Sequence, residues 1–239
     1  YSKSFSPDLE KKDYAYHSGI GYDNKNLSVY SNISGMGKNY RADMGYLMGQ
    51  KYYDADRDTS IYIGMNHWFT RASYTIYPEK SDRIISHEFN SRLILDSDTA
   101  FKLLNNDSEL GYVLEFNSTA QLKASYGHTV VNLLFPFTFL GDEPLPAGIY
   151  RYNQAELGFQ SDQRRLFSLT GGMSYGTFYN GTRAQYTFGI KYRAQPWGNF
   201  SVNFEQNILE FPEPYGTGNL FLISPRVEVN FSRSLFWTT

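Results

Sequence analysis

Between Thr182 and Tyr192 the chain alternates so regularly that it fixes its own conformation. Ala184, Tyr186, Phe188, Ile190 and Tyr192 occupy one register, while Arg183, Gln185, Thr187, Lys191 and Arg193 occupy the other. Successive side chains of a strand point to opposite sides, so this is a strand with one apolar and one charged face. After Gln195-Pro196-Trp197-Gly198 the pattern resumes, with Phe200, Val202, Phe204 and Ile208 against Ser201, Asn203, Glu205 and Asn207. Each run is about ten residues, longer than the usual strand of about 5–6 and close to what a tilted strand needs to cross a bilayer. Two folds accept such strands. An outer-membrane barrel turns the apolar face to lipid and the polar face inward, and a soluble sandwich or lipocalin-like barrel turns the apolar face inward.

Composition narrows the choice. Aromatic residues make up 18% of the chain, yet mean hydropathy is -0.48. Aromatic girdles on strands that are apolar at every second position reconcile those two values. No apolar run approaches the 18 or so residues of a membrane helix, which excludes a helical membrane protein. A net charge of -2 provides no electrostatic footprint for nucleic acid. The absence of cysteine excludes disulfides and thiolate metal sites.

Repeating the exercise along the chain predicts about eleven strands. They are 14–23, 27–35, 59–77, 83–95, 110–116, 122–130, 155–159, 167–175, 182–192, 199–209 and 221–231, with Leu235 to Thr239 starting another. The segments 36–58 and 96–107 read as polar loops, and 59–77 as one long strand whose alternation changes face near Trp68. Short turns after Asp23, Tyr77, Phe116, Gln160, Arg193 and Phe231 alternate with connections expected to be mostly long, as in an up-and-down barrel. A Greek-key sandwich has no reason to keep that order. The expected fold is an all-β, antiparallel, up-and-down transmembrane barrel. The stub at the end and the lack of an initiator Met or signal segment at Tyr1 suggest part of a larger polypeptide.

The order Gly141-Asp142-Glu143-Pro144-Leu145-Pro146-Ala147-Gly148-Ile149-Tyr150, then Ser161-Asp162-Gln163-Arg164-Arg165, Ser174-Tyr175-Gly176-Thr177-Phe178-Tyr179-Asn180-Gly181-Thr182-Arg183 and Arg193-Ala194-Gln195-Pro196-Trp197-Gly198-Asn199 resembles a family of outer-membrane barrel proteins of unknown function from Gram-negative bacteria. Gly37 to Tyr46 is similar to that family's motif after an early strand, with Arg41-Ala42-Asp43 replacing part of it. The resemblance implies a bacterial outer-membrane location and an upstream domain similar to a family 9 carbohydrate-binding module, hence a link to carbohydrate. Some such proteins are labelled membrane-associated hydrolases, but the resemblance supplies no catalytic residues.

Candidate functional residues fall into a few groups. Arg183, Lys191, Arg193, Glu205, Glu156, Arg226 and Glu228 are expected to face the lumen, and their mixed signs argue for a narrow or plugged interior over an ion-selective pore. Leu133, Leu134, Phe135, Phe137, Phe139 and Leu140 are too apolar for a free loop, and are expected to fold into the barrel mouth, extend a strand or meet another outer-membrane protein. Asp54, Asp56 and Asp58 have calcium-loop spacing, but Thr59 stands where the loop needs Gly and Met65 where it needs a bidentate Glu, so a solvated acid cluster is expected. Thr99, in Asp98-Thr99-Ala100, resembles a short O-glycosylation signal. His17, His67, His87 and His128 lie on separate expected strands with no metal-ligand spacing, so no cofactor and no catalytic set is assigned. The functional expectation is a barrel that anchors or passes something at the cell envelope. The alternatives are a structural subunit of an outer-membrane assembly and an outer-membrane hydrolase.

Overall fold

The computed structural model describes residues 2–4, 13–40, 51–54, 57–140, 143–230 and 235–238, and among these there is no helix. The strands are β1 (Ser2–Ser4), β2 (Asp13–Asp23), β3 (Leu27–Met36), β4 (Lys51–Asp54), β5 (Thr59–Tyr62), β6 (Met65–Ile76), β7 (Ile84–Asp98), β8 (Leu103–Phe116), β9 (Gln121–Leu133), β10 (Gly148–Gln160), β11 (Phe167–Phe178), β12 (Gly181–Ala194), β13 (Gly198–Glu210), β14 (Thr217–Asn230) and β15 (Phe236–Thr238). Thirteen hydrogen-bond in the linear order β1-β2-β3-β6-β7-β8-β9-β10-β11-β12-β13-β14-β15, and β4 pairs with β5 as a separate ribbon. Apart from that interposed ribbon, each strand pairs with its sequence neighbour. The chain is all-β, antiparallel and up-and-down.

The structure corrects three of the expected stretches. The expected loop 36–58 contains β4, whose backbone groups are satisfied by β5. The expected strand 59–77 is two strands, and its break lies at Ile63-Gly64 rather than at Trp68. A Cβ on Gly64 would stand 2.7 Å from the Thr99 methyl and 2.9 Å from the Lys38 amide nitrogen. Only glycine lets the backbone pass there, and beyond it the ladder changes partner, from β5 on β4 to β6 on β3. The expected loop 96–107 shrinks to a tight turn, because Asp98 Oδ1 accepts the amides of Ala100 and Lys102 and so closes β7 onto β8. The connections therefore do not alternate short and long throughout, since this turn and the two-residue Tyr179-Asn180 turn are both short.

The chain packs as two units. One comprises Tyr1–Tyr74, Asn90–Leu110 and Gly127–Tyr152, and the other Thr75–Phe89, Gly111–Tyr126 and Asn153–Thr239. In the first, the β2-β3-β6 registers place Ile20, Tyr22, Val29, Ile33, Trp68, Ala72 and Tyr74 on one face and His17, Asp23, Asn32, His67 and Arg71 on the other. Its buried apolar side chains, among the described residues, are Met65, Leu104, Val130 and Leu145. In the second unit only Leu209 and Phe211 are buried apolar side chains among the described residues. A unit with so little interior must keep its apolar area on its surface.

Candidate functional site

The registers of β10 to β14 arrange the second unit into two opposed faces. Directly opposite residues of an antiparallel pair share a face. Leu157 therefore joins Met173 and Tyr186, Leu169 joins Ile190, Val202 and Pro225, and Phe188 joins Phe204 and Ile223. Ring pairs bind the strands edge to edge, with centroids 4.7 Å apart for Phe167 and Tyr192 and 6.3 Å apart for Phe204 and Phe221. Yet these rings stay open to their surroundings: Phe167, Tyr175 and Phe221 are each 61% exposed, and Leu157 is 55% exposed. Exposed apolar side chains that lie side by side across several strands mark a contact surface.

The opposite face carries all seven charged residues expected to lie together. Lys191 pairs with Ser201 and Ser201 with Arg226; Arg193 pairs with Asn199 and Asn199 with Glu228. Glu156 is opposite Ser174, which is opposite Gln185, and Thr187 is opposite Glu205. Polar contacts knit the rows together. Glu205 Oε1 accepts from Gln185 Nε2 and Asn207 Nδ2, both at 2.8 Å, and Arg183 Nη2 donates to Asn207 Oδ1 at 2.9 Å. Arg226 meets Glu228 at 2.7 Å, and Asn199 Nδ2 donates to the same carboxylate at 3.0 Å. One contact on this face, Arg226 with Glu228, joins opposite charges, and Arg183 and Glu205 are held by neutral amides instead. At one end Arg183 lies over the Phe178 ring, 5.7 Å from its centroid, and Phe178 packs toward buried Phe211.

A different polar cluster occupies the first unit. His67 Nδ1 lies 2.6 Å from Asp96 Oδ1, and Asn105 Nδ2 donates to Asp96 Oδ2 at 3.3 Å. Both His67 and Asp96 are half-buried, and Ser34 stands directly opposite His67 across β3 and β6. A carboxylate that holds one ring nitrogen fixes the orientation of the imidazole. The remaining histidines are dispersed: His17 is exposed on β2, His87 bonds the Tyr112 hydroxyl at 2.7 Å, and His128 is half-buried on β9.

The other candidates occupy the first unit as well. Asp54 is buried and meets Arg57 at 3.3 Å, Asp58 accepts from the Tyr53 hydroxyl at 2.8 Å, and Asp56 lies outside the described residues. Among the described residues no three His, Cys, Asp or Glu side chains converge on one point. Thr99 is exposed in the β7–β8 turn, as a modification acceptor needs. Leu133 ends β9, Phe137 exchanges backbone bonds of 3.1 and 2.9 Å with Leu145, and Phe139 lies edge-on to Phe137 with 4.8 Å between centroids. Leu134, Phe135 and Leu140 are half-buried there.

Sequence reasoning missed the His67–Asp96 pair, whose partners are 29 residues apart on neighbouring strands. It also missed the turn lock at Asp162. Asp162 accepts the backbone amide and guanidinium of Arg164 and the Thr119 hydroxyl, so it ties the turn after β10 to the turn after β8. Those bonds, chiefly from the Arg164 side chain, hold its carboxyl well below the usual carboxylate range. Compared with known protein families, curated proteins and solved structures, the chain finds no match.

Proposed function

We propose that the chain forms part of a β-barrel in the outer membrane of a bacterium, where it anchors or passes material at the cell envelope. The observation that carries this reading is the opposition of faces on β10 to β14: exposed Phe, Leu, Ile and Tyr on one side, and a hydrogen-bonded polar network on the other. Water rejects the first face and lipid rejects the second, so a bilayer outside and a wet interior suit both. Strand length agrees. The 13 residues of β13 extend roughly 43 Å at about 3.3 Å each, enough to cross a hydrocarbon core of about 30 Å when tilted by about 45°. Closure of the linear ladder into a barrel, and any carbohydrate partner, belong to this proposal too.

The test is folding of the full-length protein from urea into phosphatidylcholine vesicles carrying brominated acyl chains. Lipid contact is expected to quench Trp68, which is 48% exposed on the apolar face of β6. A protein that folds as a monomer without detergent or lipid would overturn the reading. A protein recovered only with stoichiometric partner chains over its apolar face would favour the assembly subunit instead. Conductance across a planar bilayer then separates passage from anchoring.

A second reading rests on the His67–Asp96 pair. An imidazole oriented by a carboxylate can act as general base toward water or the Ser34 hydroxyl, the chemistry of an ester hydrolase. Hydrolysis of a p-nitrophenyl ester that is lost in His67→Ala while the fold persists would favour it; equal rates in both proteins would remove it.

A further inference from the structure

A cavity of about 520 Å³ in the first unit joins the β4 ribbon to the end of β9 and the segment that follows. Among the described residues its wall is formed by Tyr52, Tyr53, Phe135 and Phe137, with Asn105 and Asn132 as its amides, and none of these residues is charged; Tyr53 follows Tyr52 in β4, so its ring lies on the opposite face of the ribbon, where it is 58% exposed. The size suits a small organic ligand, for which such pockets run to about 300–1,000 Å³.

The charges behind the wall are informative. The Tyr53 hydroxyl donates to Asp58 Oδ1 at 2.8 Å, and Asn105 Nδ2 donates to Asp96 Oδ2 at 3.3 Å. Burial, with the Asp96 charge adding to it, pushes the Tyr52 phenol up. The hydrogen bond to Asp58 pushes the Tyr53 phenol up as well, so both rings stay neutral and electron-rich at ordinary pH. Asn132 spends an N–H on the Leu103 carbonyl at 3.1 Å. Asp58 and Asp96, the charged groups that these wall side chains meet, are both carboxylates. A neutral aromatic wall backed by carboxylates repels anions and attracts a weakly hydrated cation through the negative faces of its rings.

We propose that this cavity binds a small organic cation of the quaternary ammonium type, held by Tyr52, Phe135 and Phe137. The ring faces supply the attraction, the carboxylates behind them supply the sign, and the apolar residues between exclude water. The site is independent of what covers the apolar strand faces, so it stands or falls separately from the membrane reading.

The experiment is calorimetric titration of the folded full-length protein with choline and with 3,3-dimethylbutan-1-ol, its uncharged isostere. Choline is expected to bind with a Kd of about 1 mM or tighter, and the alcohol about tenfold more weakly or not at all. Tyr52→Leu and Phe135→Leu are expected to weaken choline by about tenfold each. Equal binding of the two ligands, or no choline binding by the folded wild-type protein, would overturn the proposal. So would choline affinity that is unchanged in both folded variants. If a variant fails to fold, the contrast between choline and the alcohol on the wild type still decides the matter.

Discussion

His67 on β6 and Asp96 on β7 meet through a 2.6 Å contact between Nδ1 and Oδ1, and the same carboxylate takes an amide hydrogen from Asn105 on β8. One side chain thus gathers partners from two other strands. A half-buried carboxylate so placed is costly to remove, because its donors are left unsatisfied.

Asp96→Ala is therefore expected to lower the free energy of unfolding by about 2 kcal/mol, the range of hydrogen bonds to charged groups. Asp96→Asn, which keeps one acceptor, is expected to lose about half as much. Urea titration of the folded protein in detergent reads both. Equal and negligible losses would mean that Asp96 orders nothing around it.

Thr187 and Phe188 are adjacent in β12 and lie on opposite faces, Thr187 opposite Glu205 and Phe188 opposite Phe204. Lysine at position 188 would put a charge on the apolar face, where a bilayer midplane penalises Lys by about 2–4 kcal/mol. Lysine at position 187 would face Glu205 on the polar side. Phe188→Lys is expected to reduce folding into lipid vesicles sharply while Thr187→Lys leaves it within about 0.5 kcal/mol of wild type. The measurement is the urea dependence of vesicle folding, and the opposite order would reverse the assignment of faces.

Two glycines of β11 make a cleaner contrast. A Cβ on Gly176 would collide with the backbone carbonyl of Asn153, whereas a Cβ on Gly171 would meet nothing within 4 Å. Backbone cannot swing aside as a side chain can. Gly176→Ala is expected to cost about 1–3 kcal/mol by separating β10 from β11. Gly171→Ala is expected to be neutral or to stabilise by up to about 1 kcal/mol, since alanine gives up less backbone entropy on folding. Thermal melts of the two variants suffice to compare them.

How much of this was legible in the sequence depends on whether alternation reaches both faces. In β12 Tyr186, Phe188 and Ile190 contrast with Gln185, Thr187 and Lys191, and the strand expected over 182–192 is Gly181–Ala194. The same parity placed Glu205, Arg226 and Glu228 on one face before any register was known. At the start of β8, Asn105, Asp107 and Glu109 alternate with Asn106 and Ser108, so both faces are polar and the period vanishes. That stretch reads as loop although it is strand. The β4–β5 ribbon was hidden for another reason: its four-residue strands are too short to establish a period. The His67–Asp96 pair and the aromatic cavity arise from residues far apart in sequence, and no local spacing encodes them.

Asp162 supplies a prediction about pH. Its folded carboxyl titrates below the usual carboxylate value of about 3.9, because it accepts bonds from the Arg164 guanidinium, the Arg164 amide and the Thr119 hydroxyl. A depressed carboxylate stabilises the fold wherever the unfolded chain is also ionised. Its contribution is thus fully present above about pH 5 and declines as pH falls through about 4 toward the lower folded value. Asp162 lies at a turn, and its guanidinium partner is mostly exposed, so salt should weaken the effect. Asp162→Asn is expected to unfold more easily than wild type at pH 7 and to converge with it as the medium is acidified below about pH 4. It should also free the turn after β8 from the turn after β10, since Thr119 loses its charged acceptor. Urea midpoints measured for both proteins from neutral to acidic pH decide it: a gap that persists undiminished at the acid end would mean that Asp162 acts through packing and not through its charge.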